Sequence, residues 1–194
     1  RRPPRSTLFP YTTSSDLDHI GGFDDIRGIN FISHKPLPIY LNRFTFYNLS
    51  NIFAYAFQGF NDENNGTSLV NVNFIEEGKF KIKEIEFTIL PLLHGGLEVL
   101  GFRIGNIAYC TDTNNIPDST IKLMKDLDVL ILDGLRDKPH KTHFNIEQAI
   151  EQANKINAND TYLTHIAHQI KHSVWENKLP KNIHLAYDGL TFEG

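Results

Sequence analysis

The sequence predicts a layered α/β fold with mostly mixed sheets, and three observations support this prediction. Segments with helical spacing alternate along the chain with short apolar segments. Residues 80–93 read as a β-hairpin or two short strands, and residues 100–112 read as two strands around the turn Gly105-Asn106. The 194 residues, 40% of them hydrophobic, suffice for one domain with a sizeable core or for most of a larger one.

The other elements follow in chain order from periodicity and turn residues. In the first half we predict a helical segment at 18–29, a strand at 37–41, an amphipathic helix at 44–57 and a polar loop at 61–68. In the second half we predict a helix at 118–127, a buried strand at 128–135, a helix at 145–157 with Asn145 as its N-cap, a strand at 161–166, a short helix at 173–179 and a final strand region at 183–192.

Composition narrows the class of protein. The net charge is −4 and no basic stripe occurs, which argues against tight binding to nucleic acid. No apolar run reaches the roughly 18 residues of a membrane span, and no signal-peptide pattern is present. The single cysteine, Cys110, suits a reducing compartment. We therefore expect a soluble, cytoplasmic, bacterial-type protein without a membrane partner.

Residues 1–17 differ in composition from the rest of the chain. They hold three prolines and three arginines but no Ile, Asn or Lys, in which the remainder is rich. Back-translated, Thr7–Leu17 resembles a sequencing-library adapter with one base deleted. We therefore expect a non-native tail over 1–17, joined to a partial domain over 18–194; the alternative is an ordinary disordered Pro/Arg-rich tail.

Chemistry-bearing residues fall where predicted strands end, which is where rigid scaffolds usually carry their sites. Asp18 and His19 precede a helix, His94 follows "ILPLL", Asp112 follows "IAYC" and His165 ends "YLT". Histidine and aspartate are ligands for zinc and other borderline divalent ions. For any single histidine among the nine, a surface or core role remains the simpler interpretation.

Taken together and in order, these segments resemble the metallo-β-lactamase superfamily, and most strongly its phosphoribosyl cyclic phosphodiesterase-like branch. The matching stretches are "DHIGGFDDIRGINF", "LGFRIGNIAYCTD", "HFNIEQAIE", "YLTHIAHQ" and "LAYDGL". The resemblance implies an αββα sandwich. The family motif His-x-His-x-Asp-His aligns its last two positions with Asp18 and His19, and its first two with Ser14 and Asp16. We therefore expect an N-terminally truncated domain that lacks the family's N-terminal strands.

The resemblance also implies roles for individual residues. Asp18, His19, Asp112 and His165 would form a second metal site, while His94 and the bridging Asp112 would serve a first. The intact parent would hold two ions, Zn²⁺ or Mn²⁺, and this chain one at most. His143 would face the substrate phosphate, and the catalytic residues would be His143 and Asp18.

Three further residues have expected positions. His168 would orient a metal ligand through a hydrogen bond from behind it. His140, on a Lys/Pro-rich loop, is expected to be solvent-exposed, and Cys110 to be a small buried hydrophobe. True lactamases of the superfamily place a cysteine where this chain has Asp112, which favours phosphodiester chemistry over lactam hydrolysis.

The function implied by the resemblance is metal-dependent hydrolysis of a small-molecule phosphodiester, plausibly a cyclic one, by water that two metal ions activate. Two alternatives stay open: an RNA-processing nuclease of the same superfamily, and an inactive, metal-poor fragment. A homodimer is one option for the oligomeric state.

Overall fold

The structure is a computed structural model that describes residues 17–57 and 70–191. The chain divides into two compact units, residues 1–76 and 77–194, and each is described here by itself. The predicted polar loop at 61–68 lies outside the described residues, as do residues 1–16 of the predicted tail. Within the described ranges, none of the helices has the length and apolar composition that a membrane crossing requires.

The first unit packs short helices with a two-stranded parallel sheet. Its elements are α1 (Leu17–Ile20), α2 (Ile26–Ser33), β1 (Leu37–Leu41), α3 (Arg43–Ile52) and β2 (Val70–Phe74). Strands β1 and β2 pair from Leu37 opposite Val70 to Leu41 opposite Phe74. The Asn42 side chain caps α3 by accepting the Thr45 N–H at 2.8 Å. Apolar side chains from these helices and from β1 form the unit's own core.

The second unit is built on a seven-stranded mixed sheet. Its strands are β3 (Lys79–Ile82), β4 (Ile85–His94), β5 (Leu97–Ile104), β6 (Ile107–Cys110), β7 (Val129–Asp133), β8 (Asp160–Thr164) and β9 (Ile183–Leu185). They lie side by side in chain order. Pairing is antiparallel from β3 to β6 and parallel from β6 to β9. Strand β4 therefore runs in the same direction as β6, β7, β8 and β9.

Helices follow the strands of this sheet. They are α4 (Asp118–Ile121), α5 (Ile146–Ile156) and α6 (His172–Trp175). Helix α5 contacts β7 and β8, and its residues Ile146, Ala149, Ala153 and Ile156 are buried in the core of the unit. Their spacing of three, four and three residues forms one apolar stripe, which is why this segment folds as an amphipathic helix.

Most predicted elements are found, with several differences. The helical segment predicted over 18–29 is interrupted by a 3₁₀ turn at Phe23–Asp25, and the final strand spans Ile183–Leu185. The helix predicted over 44–57 ends at Ile52, and a 3₁₀ turn then runs from Ala54 to Phe57. This break allows Phe53 and Phe57 both to contact the Phe23 ring, at centroid distances of 5.1 and 5.9 Å. The helix predicted over 118–127 is a single α-turn followed by a 3₁₀ turn, and β2 had no sequence prediction.

Candidate metal and active site

The candidate site lies at one edge of the seven-stranded sheet. Strands β4, β6, β7 and β8 point in the same direction, so their carboxyl ends meet at that edge. His94 is the last residue of β4, and Asp133 is the last residue of β7. Asp112 comes two residues after β6, and His165 directly follows β8. Four side chains with metal-ligand chemistry are thus placed at neighbouring strand ends by the topology alone.

The backbone at two of these positions is left-handed. Asp112 has φ 53° and His165 has φ 61°, in a region that most non-glycine residues avoid. Such a conformation costs on the order of 1 kcal/mol and persists where the surroundings enforce it. The turn after β8 is fixed by the hydrogen bond from the Gly134 N–H to the Thr164 carbonyl, at 3.0 Å. Each left-handed residue turns the chain just after its strand and so keeps its side chain at this edge of the sheet.

Asp112 and His165 form a nitrogen–carboxylate pair that joins the ends of two strands. Their Oδ1 and Nε2 atoms lie 3.1 Å apart, and the Asp112 side chain is 3% exposed. Two atoms that each bind one ion at about 2.0–2.2 Å lie roughly this far apart. The sequence prediction that these two side chains converge is confirmed by this distance, while their role as metal ligands stays a prediction.

Asp133 and His143 form a second, tighter pair. Asp133 is fully buried, and its Oδ2 lies 2.7 Å from Nδ1 of His143. The same oxygen accepts the backbone N–H of Thr113 at 2.9 Å. The pairing fixes the imidazole through Nδ1 and turns the opposite nitrogen, Nε2, away from the carboxylate. This is the arrangement by which a buried carboxylate sets the tautomer and orientation of a histidine.

The two pairs together form one cluster that suits a metal ion. Asp112, Asp133, His143 and His165 each offer a ligand atom, and these atoms all lie within 4.8 Å of one another. Within the described part of the chain, Asp133 Oδ1 and His165 Nδ1 are buried without a hydrogen-bond partner. Buried polar atoms normally have partners, so these two suit a cation. A donor set of imidazole nitrogen and carboxylate oxygen fits zinc or manganese.

His94 lies beside this cluster. Its side chain is buried, and its ring centroid is 4.6 Å from that of His143. The His143 ring in turn stacks on His165, also at 4.6 Å. The sequence places His94 at a first metal site. The structure brings it next to the other histidines, and its ligand role stays a prediction.

The loop between β7 and α5 covers the cluster. Phe144 anchors it, because its N–H bonds to the Thr113 carbonyl and its carbonyl accepts the Leu135 N–H, each at 3.0 Å. Asn114 adds two bonds of 2.8 Å: its Oδ1 accepts the Gly95 N–H and its Nδ2 donates to the Lys141 carbonyl. His143 therefore sits on a loop bonded to the segments that follow β4 and β6.

His140, on the same loop, is not solvent-exposed as the sequence predicts. Its side chain is half-buried, and its ring centroid lies 5.1 Å from that of His143. The Thr142 N–H donates to His140 Nδ1 at 3.4 Å, which holds the ring inward. Burial, together with the neighbouring His143 and Arg136, lowers the pKa of His140. The Lys/Pro-rich composition of the loop gave no signal of this packing.

The remaining predicted residues are Asp18, His19, His168 and Cys110. Asp18 and His19 belong to the short helix α1 in the first unit, and the Asp18 side chain lies outside the described residues. His168 is exposed, in the segment that follows β8. The metal-binding roles of Asp18 and His19 and the orienting role of His168 stay predictions. Cys110 is fully buried, as predicted, and burial raises the pKa of its thiol to about 12.

Asp133 is the site residue that the sequence prediction missed. It ends the segment "VLILD", which was assigned only as a buried strand. An aspartate that closes an apolar β-branched run is a signal, since burial of a carboxylate requires a partner. That signal was available at Asp133 as it was at Asp112, which ends the neighbouring run.

Comparison with known proteins agrees with this fold. The Beta-lactamase superfamily domain matches residues 11–166 of the chain. The chain therefore belongs to the metallo-β-lactamase superfamily, whose members share this mixed α/β architecture.

Individual relatives differ in how much of them the chain covers. A crystal structure of a diphosphatase from the PhnP family is 34% identical with a TM-score of 0.82, over 92% of this chain and 68% of that one. The metallo-β-lactamase fold protein YhfI from Bacillus subtilis is 18% identical with a TM-score of 0.72, over 94% and 76%. An octanoyltransferase of Porphyromonas gingivalis is 32% identical over 92% of this chain. The chain spans about a third of the length of that protein, 36%.

Proposed function

We propose that the domain is a metal-dependent phosphodiesterase acting on a small-molecule phosphodiester, a cyclic one in the first instance, in the cytoplasm. The proposal rests on two adjacent aspartate–histidine pairs that differ in geometry. Asp112 and His165 lie at ligand spacing, while Asp133 holds His143 by a 2.7 Å hydrogen bond. The Asp112–His165 pair suits a metal ion, and the Asp133–His143 pair suits proton transfer. Metal-dependent hydrolysis of a phosphodiester uses both.

The residues present fit a divalent ion. Asp112 and His165 would hold it, with His94 as a further ligand beside them, and Asp18 and His19 are the candidates that the sequence adds. When bound, such an ion polarises phosphoryl oxygens and lowers the pKa of water toward about 7. We propose Zn²⁺ or Mn²⁺, and two ions where all the ligands of the family motif are present.

His143 would supply the proton. Asp133 fixes its Nδ1, so that Nε2 is the nitrogen directed at a substrate. Water attacks phosphorus, forms the new P–O bond and releases one proton to solvent, while the P–O bond to the leaving group breaks and His143 gives its proton to the departing oxygen. His143 then regains a proton from solvent. With a cyclic diester, the product is a phosphomonoester that keeps the leaving hydroxyl. The buried Asp133 carboxylate stabilises the protonated imidazole before the transfer.

Two comparisons bear on the substrate. The PhnP-family relative is described as a diphosphatase, and hydrolysis of a diphosphate, like that of a phosphodiester, breaks a P–O bond to a bridging oxygen. This supports phosphoryl chemistry. The octanoyltransferase name belongs to a protein of which this chain spans 36%, and we do not extend that activity to this chain.

The test is hydrolysis of bis-para-nitrophenyl phosphate by protein loaded with Zn²⁺ or Mn²⁺. The chain as printed should turn over slowly, because Ser14 and Asp16 stand at the first two histidine positions of the family motif. The double variant Ser14→His with Asp16→His should raise turnover and metal content together. In that background His143→Ala should lower turnover while metal content stays near normal, and Asp112→Ala should lower both.

Two results would contradict the proposal. One is the absence of metal-dependent hydrolysis of any phosphodiester by a double variant that binds metal. The other is full activity in the His143→Ala protein, since the proton donor would then be another group.

A further inference from the structure

His140 has a use that the proposed phosphodiesterase site does not assign. Its ring centroid lies 5.1 Å from that of His143, and the His143 centroid in turn lies 4.6 Å from that of His94. It is half-buried on a loop whose main chain is fixed, and it therefore presents a defined group to whatever occupies the site.

The loop is held by several polar contacts that are independent of His140. Arg136 donates from Nε to the Lys138 carbonyl at 3.2 Å and from Nη2 to the Pro139 carbonyl at 3.0 Å. Asn114 donates to the Lys141 carbonyl at 2.8 Å. A Cβ at Gly95, which has φ +64°, would lie 3.0 Å from the Thr142 side chain, so the loop packs directly on this turn. The backbone on both sides of His140 is thus positioned.

The contacts of the ring determine which nitrogen can donate. Nδ1 accepts the Thr142 N–H at 3.4 Å and lies 3.3 Å from the Thr142 hydroxyl. An imidazole whose Nδ1 accepts carries its proton on Nε2. No group among the described residues bonds to that Nε2. His140 therefore offers an oriented N–H donor beside His143.

The loop that carries this donor has a net positive charge, which favours an anionic acceptor, although the Asp133 carboxylate also acts on His140. Arg136, Lys138 and Lys141 belong to the same loop, against the single carboxylate of Asp137. We infer that His140 is a substrate-binding residue whose Nε2–H donates to a second phosphoryl group, next to the one being hydrolysed. The inference rests on the proposed function and deepens it, because it favours diphosphate diesters over simple phosphodiesters.

The test measures binding, so that it does not depend on turnover. Metal-loaded protein is titrated calorimetrically with P1,P2-diethyl methylenediphosphonate, which has two phosphoryl groups and no hydrolysable bridge, and with ethyl methylphosphonate, which has one. We expect the diphosphonate to bind about tenfold more tightly, as a hydrogen bond to a charged group would give.

Two amide variants test the two ring nitrogens of His140 one at a time. His140→Asn keeps a polar atom near the Nδ1 position and loses the Nε2 donor, so the tenfold preference should disappear. His140→Gln places an amide N–H near the Nε2 position and should retain most of the preference. Lys138→Ala, which removes an exposed cation on the same loop, is the control for general attraction. It should lower affinity for the doubly charged diphosphonate somewhat more than for the singly charged phosphonate, without abolishing the preference.

Three results would overturn the inference: equal affinity of the wild-type protein for the two ligands, an equal loss for both ligands in His140→Asn, or a loss of the diphosphonate preference in Lys138→Ala as complete as in His140→Asn. A different experimental result would contradict the proposed function. A diphosphonate preference that depends on His140, in a protein that hydrolyses no phosphodiester, would contradict the phosphodiesterase while leaving this binding role intact.

Discussion

Two aspartates at neighbouring strand ends have different tasks because their partners differ. Asp112 faces the Nε2 atom of His165 at 3.1 Å, whereas Asp133 shares one oxygen between His143 and the Thr113 N–H. Asp133 is fully buried, and a buried carboxylate is stable only when it is paired. We therefore assign Asp112 to the metal and Asp133 to the orientation of His143.

This assignment predicts the effect of Asp133→Asn. The amide oxygen can take the position of Oδ2 and still accept from both Thr113 and His143, but the amide carries no charge and therefore no longer stabilises a protonated imidazole. Turnover of bis-para-nitrophenyl phosphate should fall about tenfold to a hundredfold, the usual cost of removing the partner that orients a functional histidine. Asp128→Asn is the matched control, since Asp128 accepts from Asn106 and Asn159 before the start of β7. Equal losses in the two variants would contradict the role of Asp133.

Cys110 gives a prediction about alkaline pH. Burial raises the pKa of its thiol from 9.0 to about 12. Folding thus favours the protonated thiol, and the stabilisation is complete below pH 9 and is lost as the pH rises from 9 toward 12. Between pH 9 and pH 10 the free energy of unfolding should fall by about 1 kcal/mol more in the wild type than in Cys110→Ala. Urea unfolding at the two pH values measures this difference, and parallel losses in both proteins would contradict it.

At the scale of elements, helix α5 is the clearest agreement between local sequence and structure. Asn145 accepts the Gln148 N–H at 2.8 Å, and the Gln148 side chain accepts the Asn145 N–H at 3.1 Å, which completes a capping box. The cap follows directly after the loop that carries His143. A defined helix start therefore also fixes the end of the site loop.

Removing this cap should destabilise the protein. Asn145→Ala should lower the free energy of unfolding by about 1 kcal/mol, because the first-turn N–H groups lose their acceptor. Glu151→Ala, at an exposed position in the middle of the helix, is the control and should change it by less than about 0.5 kcal/mol. Chemical denaturation of both variants tests this, and equal effects would show that the capping box contributes no specific stability.

The elements also show what the sequence can predict and what it cannot. Strands β1 and β4–β8 and helix α5 were predicted from periodicity, turn residues and a cap, all of which are local signals. The break after Ile52 was missed because it depends on ring contacts of Phe53 and Phe57 with Phe23, which lies far from both in the chain. Strand β2, with the sequence "VNVNF", pairs with β1, and its asparagines weaken the strand signal.

For the site, the sequence and the resemblance together located Asp112, His143 and His165, which the structure brings into one cluster, and His94, which lies beside it. Asp133 and His140 were missed for a different reason. Their importance comes from contacts with His143, and those contacts depend on how the loop after β7 folds back over the strand ends. No local pattern reports that path, although the apolar run that Asp133 closes is a local signal that this carboxylate needs a buried partner.

At the scale of the whole chain, the topology explains why the site lies where it does. The sheet of the second unit changes from antiparallel to parallel pairing at β6, while β4 keeps the direction of the parallel strands. Four strand ends therefore converge on one edge, and the superfamily to which the chain belongs has this mixed α/β architecture. The central claim is that this edge binds a divalent ion through Asp112 and His165, with His143 reserved for substrate.

The measurement that tests this claim most directly is the zinc content of purified variants after loading and exhaustive dialysis, by plasma mass spectrometry. Asp112→Ala and His165→Ala should both fall to near background, because each removes an atom at ligand spacing. His143→Ala should stay near the wild-type content, because His143 is bonded to Asp133 and serves the substrate. Zinc lost from His143→Ala as completely as from Asp112→Ala, or zinc kept by Asp112→Ala, would contradict the account.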